Sequence, residues 1–263
     1  MHCSGRFSKP IALAGSGLIF VQSACGQAAT NSFPFDDYLL APVRIHLLSS
    51  KDSPVVQTTL TENDITRILG KMNRIWSQAG LHFYLESLVR EEANHQQFSA
   101  PHSEQSRRGL LELRPPQSMA TNTFHIYYLK QMPANGLYFP EAIFVKDTAS
   151  LRTVEGGIDE PLPRVSSHEL GHAFGLTHRQ NTTNLMASGT SGTWLNDQEI
   201  HQARETALRL DWIEPASDLM EGANALYRAG KIQEAAGLYS RLASIPLKAE
   251  QVELARKRLP GSP

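Results

Sequence analysis

Cysteine is nearly absent from this chain of 263 residues: Cys3 and Cys25 are the only two, both in its first tenth. A disulfide framework for the fold is therefore excluded. A surplus of charge of either sign is missing too. Lys and Arg number 25 against 26 Asp and Glu, a formal net charge of −1. With no basic excess to neutralise phosphates, nucleic acid is set aside as a main partner. The apolar run at residues 11–21 (IALAGSGLIFV) is too short to span a bilayer. What is present is ordinary: 41% hydrophobic residues and 19% charged, with 18 Gly and 15 Pro. That composition excludes collagen-like and wholly disordered chains, and the length allows one or two domains with a well-buried core.

The N-terminus has the layout of an export signal, assigned to residues 1–24. Arg6 and Lys9 form a short positive region, the apolar run follows, and small residues lead to Cys25 in QSACGQ. The segment resembles a bacterial lipoprotein signal with Cys25 as the lipid acceptor, although Gln22 stands where such signals prefer Leu. Ordinary cleavage, for instance after Ala28, is the competing reading, and both stay open. Either way the mature chain is expected outside the cytoplasm: periplasmic, lipid-anchored at the envelope, or secreted.

A linker at residues 25–41 precedes a mixed α/β pattern. Residues 43–48 (VRIHLL) alternate as a strand. Thr61 is a helix N-cap, with Glu62 and Asp64 in the first turn. Apolar residues then recur at Ile65, Ile68, Leu69, Met72, Ile75, Trp76 and Ala79, one buried helical face, and Gly80 is a stop. Further strands are expected at 81–89, 123–129 and 142–145. The long polar stretch 90–122 is a loop interrupted by a short helix near 108–113. Helices are expected at 165–176 and at 197–210, the latter with Asn196 and Glu199 as a capping box. The domain at 42–212 is followed by a helical hairpin at 213–263. Its GANALYRAGKIQEAAGLYSRL resembles a single tetratricopeptide-type unit; one such unit cannot build a solenoid, and packing against the main domain is the simpler role.

The decisive stretch is HELGHAFGLTH, residues 168–178. On a helix, His168 and His172 project from one face, four residues apart. Two imidazoles so placed can bind one zinc ion at about 2.0–2.1 Å each. Glu169 is left free to reach a metal-bound water. Gly175 suits the sharp turn that ends the helix and brings His178 back as a third ligand. Three nitrogens leave a fourth position open, as catalytic zinc sites do. Five fixed positions of these residue types coincide by chance at roughly 10⁻⁷ per starting point, so the cluster is a signal. A histidine standing alone is ordinarily a satisfied core or surface residue, and His46, His82, His95, His102, His125 and His201 are read that way.

This stretch resembles the metzincin zinc endopeptidases, whose motif is H-E-x-x-H-x-x-G-x-x-H followed by a Met-turn. The resemblance covers roughly residues 42–212. It implies an α/β (α+β) fold with a mixed twisted sheet, a long backing helix and a zinc-bearing helix. It also implies that His168, His172 and His178 hold zinc and that Glu169 is the catalytic base. Asn184-Leu185-Met186 would be the Met-turn, with Met186 packed beneath the metal and Gly175 at the helix end. In such enzymes an edge strand pairs with extended substrate, which here would be residues 142–145. The helix LTENDITRILGKMNRIW and the N-L-M turn are most similar to matrixin-like or pappalysin-like bacterial members. Two departures stand out: Ser188 occupies the place of a tyrosine ligand found in some families, and Arg179 matches no familiar family marker.

The expected activity is hydrolysis of peptide bonds by a zinc-activated water with Glu169 as base, acting as a monomer on a protein or peptide substrate. A non-proteolytic, zinc-containing exported binding protein is the alternative, against which the retained Glu169 speaks. The pocket beside the metal is expected from residues 188–194. No latency switch is expected, since SACGQAA around Cys25 does not resemble one. Calcium is unsupported, because Asp147, Asp159 and Glu160 have the spacing of no calcium loop.

Overall fold

The computed structural model describes residues 33–94 and 109–261. The export signal, Cys25, His95 and His102 lie outside them. Six strands form one sheet: β1 (Leu39–Ser49), β2 (Leu81–Glu92), β3 (Phe124–Leu129), β4 (Gly136–Phe139), β5 (Ala142–Lys146) and β6 (Glu214–Pro215). The order is β2-β1-β3-β5-β4. β1 runs parallel to both β2 and β3, β3 runs parallel to β5, and β4 returns antiparallel to β5. The short β6 pairs antiparallel with the start of β1 at Leu39 and Leu40. Six helices accompany the sheet: α1 (Glu62–Trp76), α2 (Pro161–Ala173), α3 (Asp197–Ala207), α4 (Ala216–Arg228), α5 (Ile232–Ala243) and α6 (Glu250–Lys257). A further helical turn covers residues 109–112. This is the expected mixed α/β fold with a mostly parallel sheet. No helix among the described residues is long and apolar enough to cross a membrane.

β1 is buried along nearly its whole length because both of its faces are covered. Successive side chains point to opposite faces. Leu39, Ala41, Val43, Ile45 and Leu47 join the main core with the helices, while Leu40 and Leu48 join two separate clusters across the sheet. The strand starts four residues earlier than its alternation predicts, within the stretch expected as linker. Pro42 lies inside it, next to a register shift against β2 at Val43/Arg44, and irregular positions are where a strand tolerates proline.

α1 begins and ends as its sequence predicts. Thr61 Oγ1 accepts from the Asp64 amide while Asp64 accepts from the Thr61 amide, a reciprocal cap that contributes about 1 kcal/mol. Ile65, Ile68, Met72, Ile75 and Trp76 are buried on its inner face. Asn73 clamps the helix to β2, donating to the Phe83 carbonyl at 2.9 Å and accepting from the Phe83 amide at 2.7 Å. A short 3-10 turn then closes at Gly80.

Two expectations need correction. Residues 142–145 are not the edge of the sheet: β5 is flanked by β3 and β4, and the edge is β4. The missed strand, GLYF, is only four residues long and follows a Pro-Ala-Asn turn sequence, so it lacks the length from which alternation is read. The C-terminal region holds more than a hairpin: α4 and α5 form a helical pair, and α6 follows as a third helix. Their apolar faces share one cluster with Phe35, Tyr38 and Leu40, and Arg241 lies 4.6 Å over the Tyr84 ring of β2. The tail is thus packed on the sheet face opposite α1 and α2.

The isolated histidines are internal polar contacts. His46 lies between Glu91 (2.5 Å) and His125 (2.9 Å), and His82 reaches Ser244 Oγ at 2.8 Å; His201 is exposed. Burial pushes the pKa of His46 and of His82 down to about 3. An unfolded histidine takes up its proton below about 6.5, so between those values the unfolded chain binds more protons than the folded one. Stability carried by these groups is present above pH 6.5 and lost as pH falls towards 3. The melting temperature is therefore expected to fall steadily from pH 6.5 to 4. In His82→Leu, a pH series of denaturant titrations should show a slope shallower by about 1.4 kcal/mol per pH unit.

Candidate metal centre

α2 carries the motif and is buried from Leu162 to Gly171. It opens with Pro161, whose missing N–H costs nothing in a first turn. It closes three residues before the expected end, in a Schellman arrangement: the Leu176 amide donates to the Gly171 carbonyl and the Gly175 amide to the His172 carbonyl, both at 2.9 Å. Gly175 supplies the required left-handed residue, with φ +81°, and a Cβ there would stand 3.1 Å from Gln202 Nε2. The reversal carries the chain back past the face that bears His168 and His172.

His168, His172 and His178 each offer one ring nitrogen, and the three lie within 4.8 Å of one another. Nε2 of His172 and Nε2 of His178 are 3.2 Å apart. Three nitrogens bound tetrahedrally to one zinc ion at 2.0–2.1 Å stand about 3.3 Å apart, so the donor set fits zinc. Orientation is set from behind. His168 Nδ1 donates to the Leu185 carbonyl and His172 Nδ1 to the Leu176 carbonyl, each at 2.8 Å. With its proton committed to a carbonyl at Nδ1, each neutral ring keeps a lone pair at Nε2. Burial, seconded by Arg164, pushes the His168 pKa down to about 3, and burial lowers that of His172. Both stay in the neutral form that binds metal.

Beneath the helix, Met186 is fully buried with its sulfur against Gly171, where a Cβ would come within 2.5 Å of Sδ. The turn bearing it is tied to α3 through one carboxylate. Glu199, fully buried, accepts from Arg179 Nε (2.6 Å), Asn184 Nδ2 (2.7 Å) and the Asn196 amide (2.9 Å). Asn184 Oδ1 in turn accepts from the Met186 amide at 2.7 Å. Glu199 is therefore more than the expected capping residue, and Arg179 pairs with it across the turn.

Glu169 is 6% exposed and lines a cavity of about 400 Å³ with the three histidines. Burial raises its pKa to about 7, while Arg164 pulls the other way. β4 passes directly over it: a Cβ on Gly136 would overlap Glu169 Oε1 and lie 2.7 Å from Val165 Cγ1. Of the expected pocket residues, Ser188 and Gly189 line the cavity, whereas Trp194 does not and is 41% exposed. Leu151, Arg164, Leu137 and Tyr138 also line it and were not anticipated. Arg164 left a trace in the sequence, as a charge four residues before His168 on the same buried face. The three acids considered for calcium have other partners. Asp159 and Glu160 pair with Lys71, Glu160 also pairs with Arg67, and Asp147 accepts from Thr58 and Thr59.

No protein-family model matches the chain, and no curated protein matches it. Among solved structures it is similar to archaemetzincin from Methanopyrus kandleri, at 14% identity and TM-score 0.41, covering 67% of this chain and 99% of that one. It is similar to mirolysin in complex with a small compound at 12% identity and TM-score 0.44, covering 64% and 91%. Metalloproteinase-II from Bacteroides fragilis gives 13% identity and TM-score 0.41, covering 69% and 59%. The functional reading rests on the geometry of the site itself.

Two outcomes are expected. Purified protein should take up one equivalent of zinc by elemental analysis and gain thermal stability with it, and His172→Ala should do neither. Glu199→Ala leaves Arg179 and the buried Asn184 without their acceptor, and should lower unfolding stability by about 1–3 kcal/mol and weaken zinc binding about 10-fold or more, read by denaturant and zinc titrations.

Proposed function

We propose that this chain is a zinc-dependent endopeptidase, exported from the cell, in which His168, His172 and His178 hold the metal and Glu169 is the general base. The single observation that carries this reading is the convergence of three oriented imidazoles beside an otherwise unpaired carboxylate, in an open cavity under a strand edge. A purely structural zinc site is closed and usually rich in cysteine, and it has no use for Glu169. The non-proteolytic alternative is weaker for that reason.

Bound zinc would supply a Lewis acid for the peptide carbonyl and lower the pKa of water towards about 7. The chain's own residues do the rest. An extended substrate can add to the outer edge of β4, whose inner edge is taken by β5. The crossing of β4 over Glu169 brings the scissile bond of such a substrate beside that carboxylate. Glu169 accepts a proton from the attacking water and hands it to the departing amine nitrogen. Its burial raises its basicity and excludes competing solvent. The Leu185 and Leu176 carbonyls hold the imidazoles through Nδ1, so the rings need not reorient during turnover. The finer kinship, matrixin-like or pappalysin-like, belongs to this proposal, as do the single tetratricopeptide-type unit in the tail and the lipid anchor at Cys25.

Glu169→Gln should retain zinc while cleavage of a generic protein substrate falls by at least about 10³-fold. A chelator should abolish wild-type cleavage, and zinc should restore it. Cleavage that survives the chelator, or full activity in Glu169→Gln, would overturn the assignment.

A further inference from the structure

We propose that Arg164 makes the cavity beside the histidines a receptor for a carboxylate, so that the enzyme selects peptides with Asp or Glu directly flanking the bond it cuts. This deepens the endopeptidase reading and rests on it. Arg164 is 2% exposed and is among the largest fully buried side chains of the molecule. Its Nε donates to the Gly192 carbonyl at 3.2 Å and Nη2 donates to the Ala187 carbonyl. Those acceptors are neutral. No carboxylate forms an ion pair with it among the described residues, the charge of Glu169 acting on it only at longer range, and its hydrogen bonds there come from Nε and Nη2 alone. A buried guanidinium is ordinarily paired, because an uncompensated charge out of water is costly.

Arg164 also has an outlet, since it lines the same cavity as Glu169 and His168, with Leu151 and Val165 forming an apolar wall and Ser188 at the rim. An entering carboxylate would find free N–H donors in a planar fork suited to it. Without that cation, the same carboxylate would lose its paired donors and still face Glu169. Removing the guanidinium should therefore abolish the preference. The two carbonyl bonds give Arg164 a bracing role as well, since they tie the 187–192 loop to α2. A bracing role alone would not discriminate between aspartate and asparagine.

The zinc-loaded full chain is to be profiled on a proteome-derived peptide library, followed by matched peptides carrying Asp or Asn at the preferred flanking position. The readout is the Asp-to-Asn ratio of kcat/KM within each variant, which cancels any general loss of active protein. We expect a ratio of at least about 10 in wild type, most of it kept in Arg164→Lys, and a ratio near 1 in Arg164→Gln. In parallel, binding of N-acetyl-aspartate methylamide and its asparagine analogue is to be followed by NMR on the zinc-free protein. The aspartyl probe should bind at least about 10-fold tighter, with shifts at Gly136 and Gly189, and lose that advantage in Arg164→Gln. Cleavage with a wild-type ratio near 1 would overturn the inference and leave the peptidase reading intact. No cleavage by zinc-loaded protein would end the peptidase reading; equal binding of the two probes would then end the inference too, whereas selective binding would retain the carboxylate receptor.

Discussion

Two hydrogen bonds on the far side of the imidazoles determine what the rest of the site can be. Each ties a histidine Nδ1 to a backbone carbonyl, Leu185 for His168 and Leu176 for His172. Neither carbonyl belongs to the helix that carries the histidines. Both are delivered by chain reversals: the Schellman turn at Gly175 for one, and the N-L-M turn for the other. The geometry at Nε2 therefore depends on backbone placed by residues that never face the cavity. Spacing along α2 puts two rings on one face, but only these distant acceptors aim them.

Two buried charges in this region are treated in opposite ways. Glu199 is surrounded by three donors that satisfy both of its oxygens, so it can lock the turn beneath the helix to α3. Arg164, one helical turn before His168, is given carbonyl oxygens and no ion pair among the described residues, and the charge of Glu169 acts on it only at longer range. The first arrangement is internally complete. The second leaves an electrostatic demand facing the cavity, and the same field acts on Glu169 and His168. Arg164 offsets part of the rise that burial imposes on Glu169, so a single cation bears both on the state of that carboxylate and on what can enter beside it.

What could be read from the sequence follows from how local each signal is. The cap at Thr61, the buried stripe from Ile65 to Trp76 and the cap at Asn196 depend on neighbours within a turn, and they stand where the pattern puts them. His168, His172 and Gly175 are equally local, which is why the convergence of the three imidazoles could be anticipated. β4 could not be found this way, because four residues do not establish an alternation and its partner comes after a two-residue turn. The mistaken edge at residues 142–145 followed from that one omission. The further roles of Arg164, Glu199 and Arg179 were out of reach for a different reason. Those roles depend on partners 15 to 28 residues away, which neither the helical position of Arg164 nor the cap at Glu199 reveals.

The central strand also explains why the C-terminal helices belong with the histidine-bearing half rather than hanging from it. Leu39 and Leu40 are adjacent, yet they point to opposite faces, the first into the core that carries α1 and α2 and the second into the core of the tail. β6 immediately precedes α4 and pairs with these same two residues. The first residue of the tail, Ala216, donates its amide to the Tyr38 carbonyl at 2.8 Å. Tail and sheet therefore share one stretch of backbone, and Tyr38 and Leu40 are buried in one cluster with the tail's apolar faces. Burying a large apolar side chain contributes about 1.5–3 kcal/mol, comparable to a sizeable part of the total stability of a domain. Packing alone thus accounts for the tail's presence, and it accounts as well for β1 starting at Leu39, four residues before its alternation becomes legible.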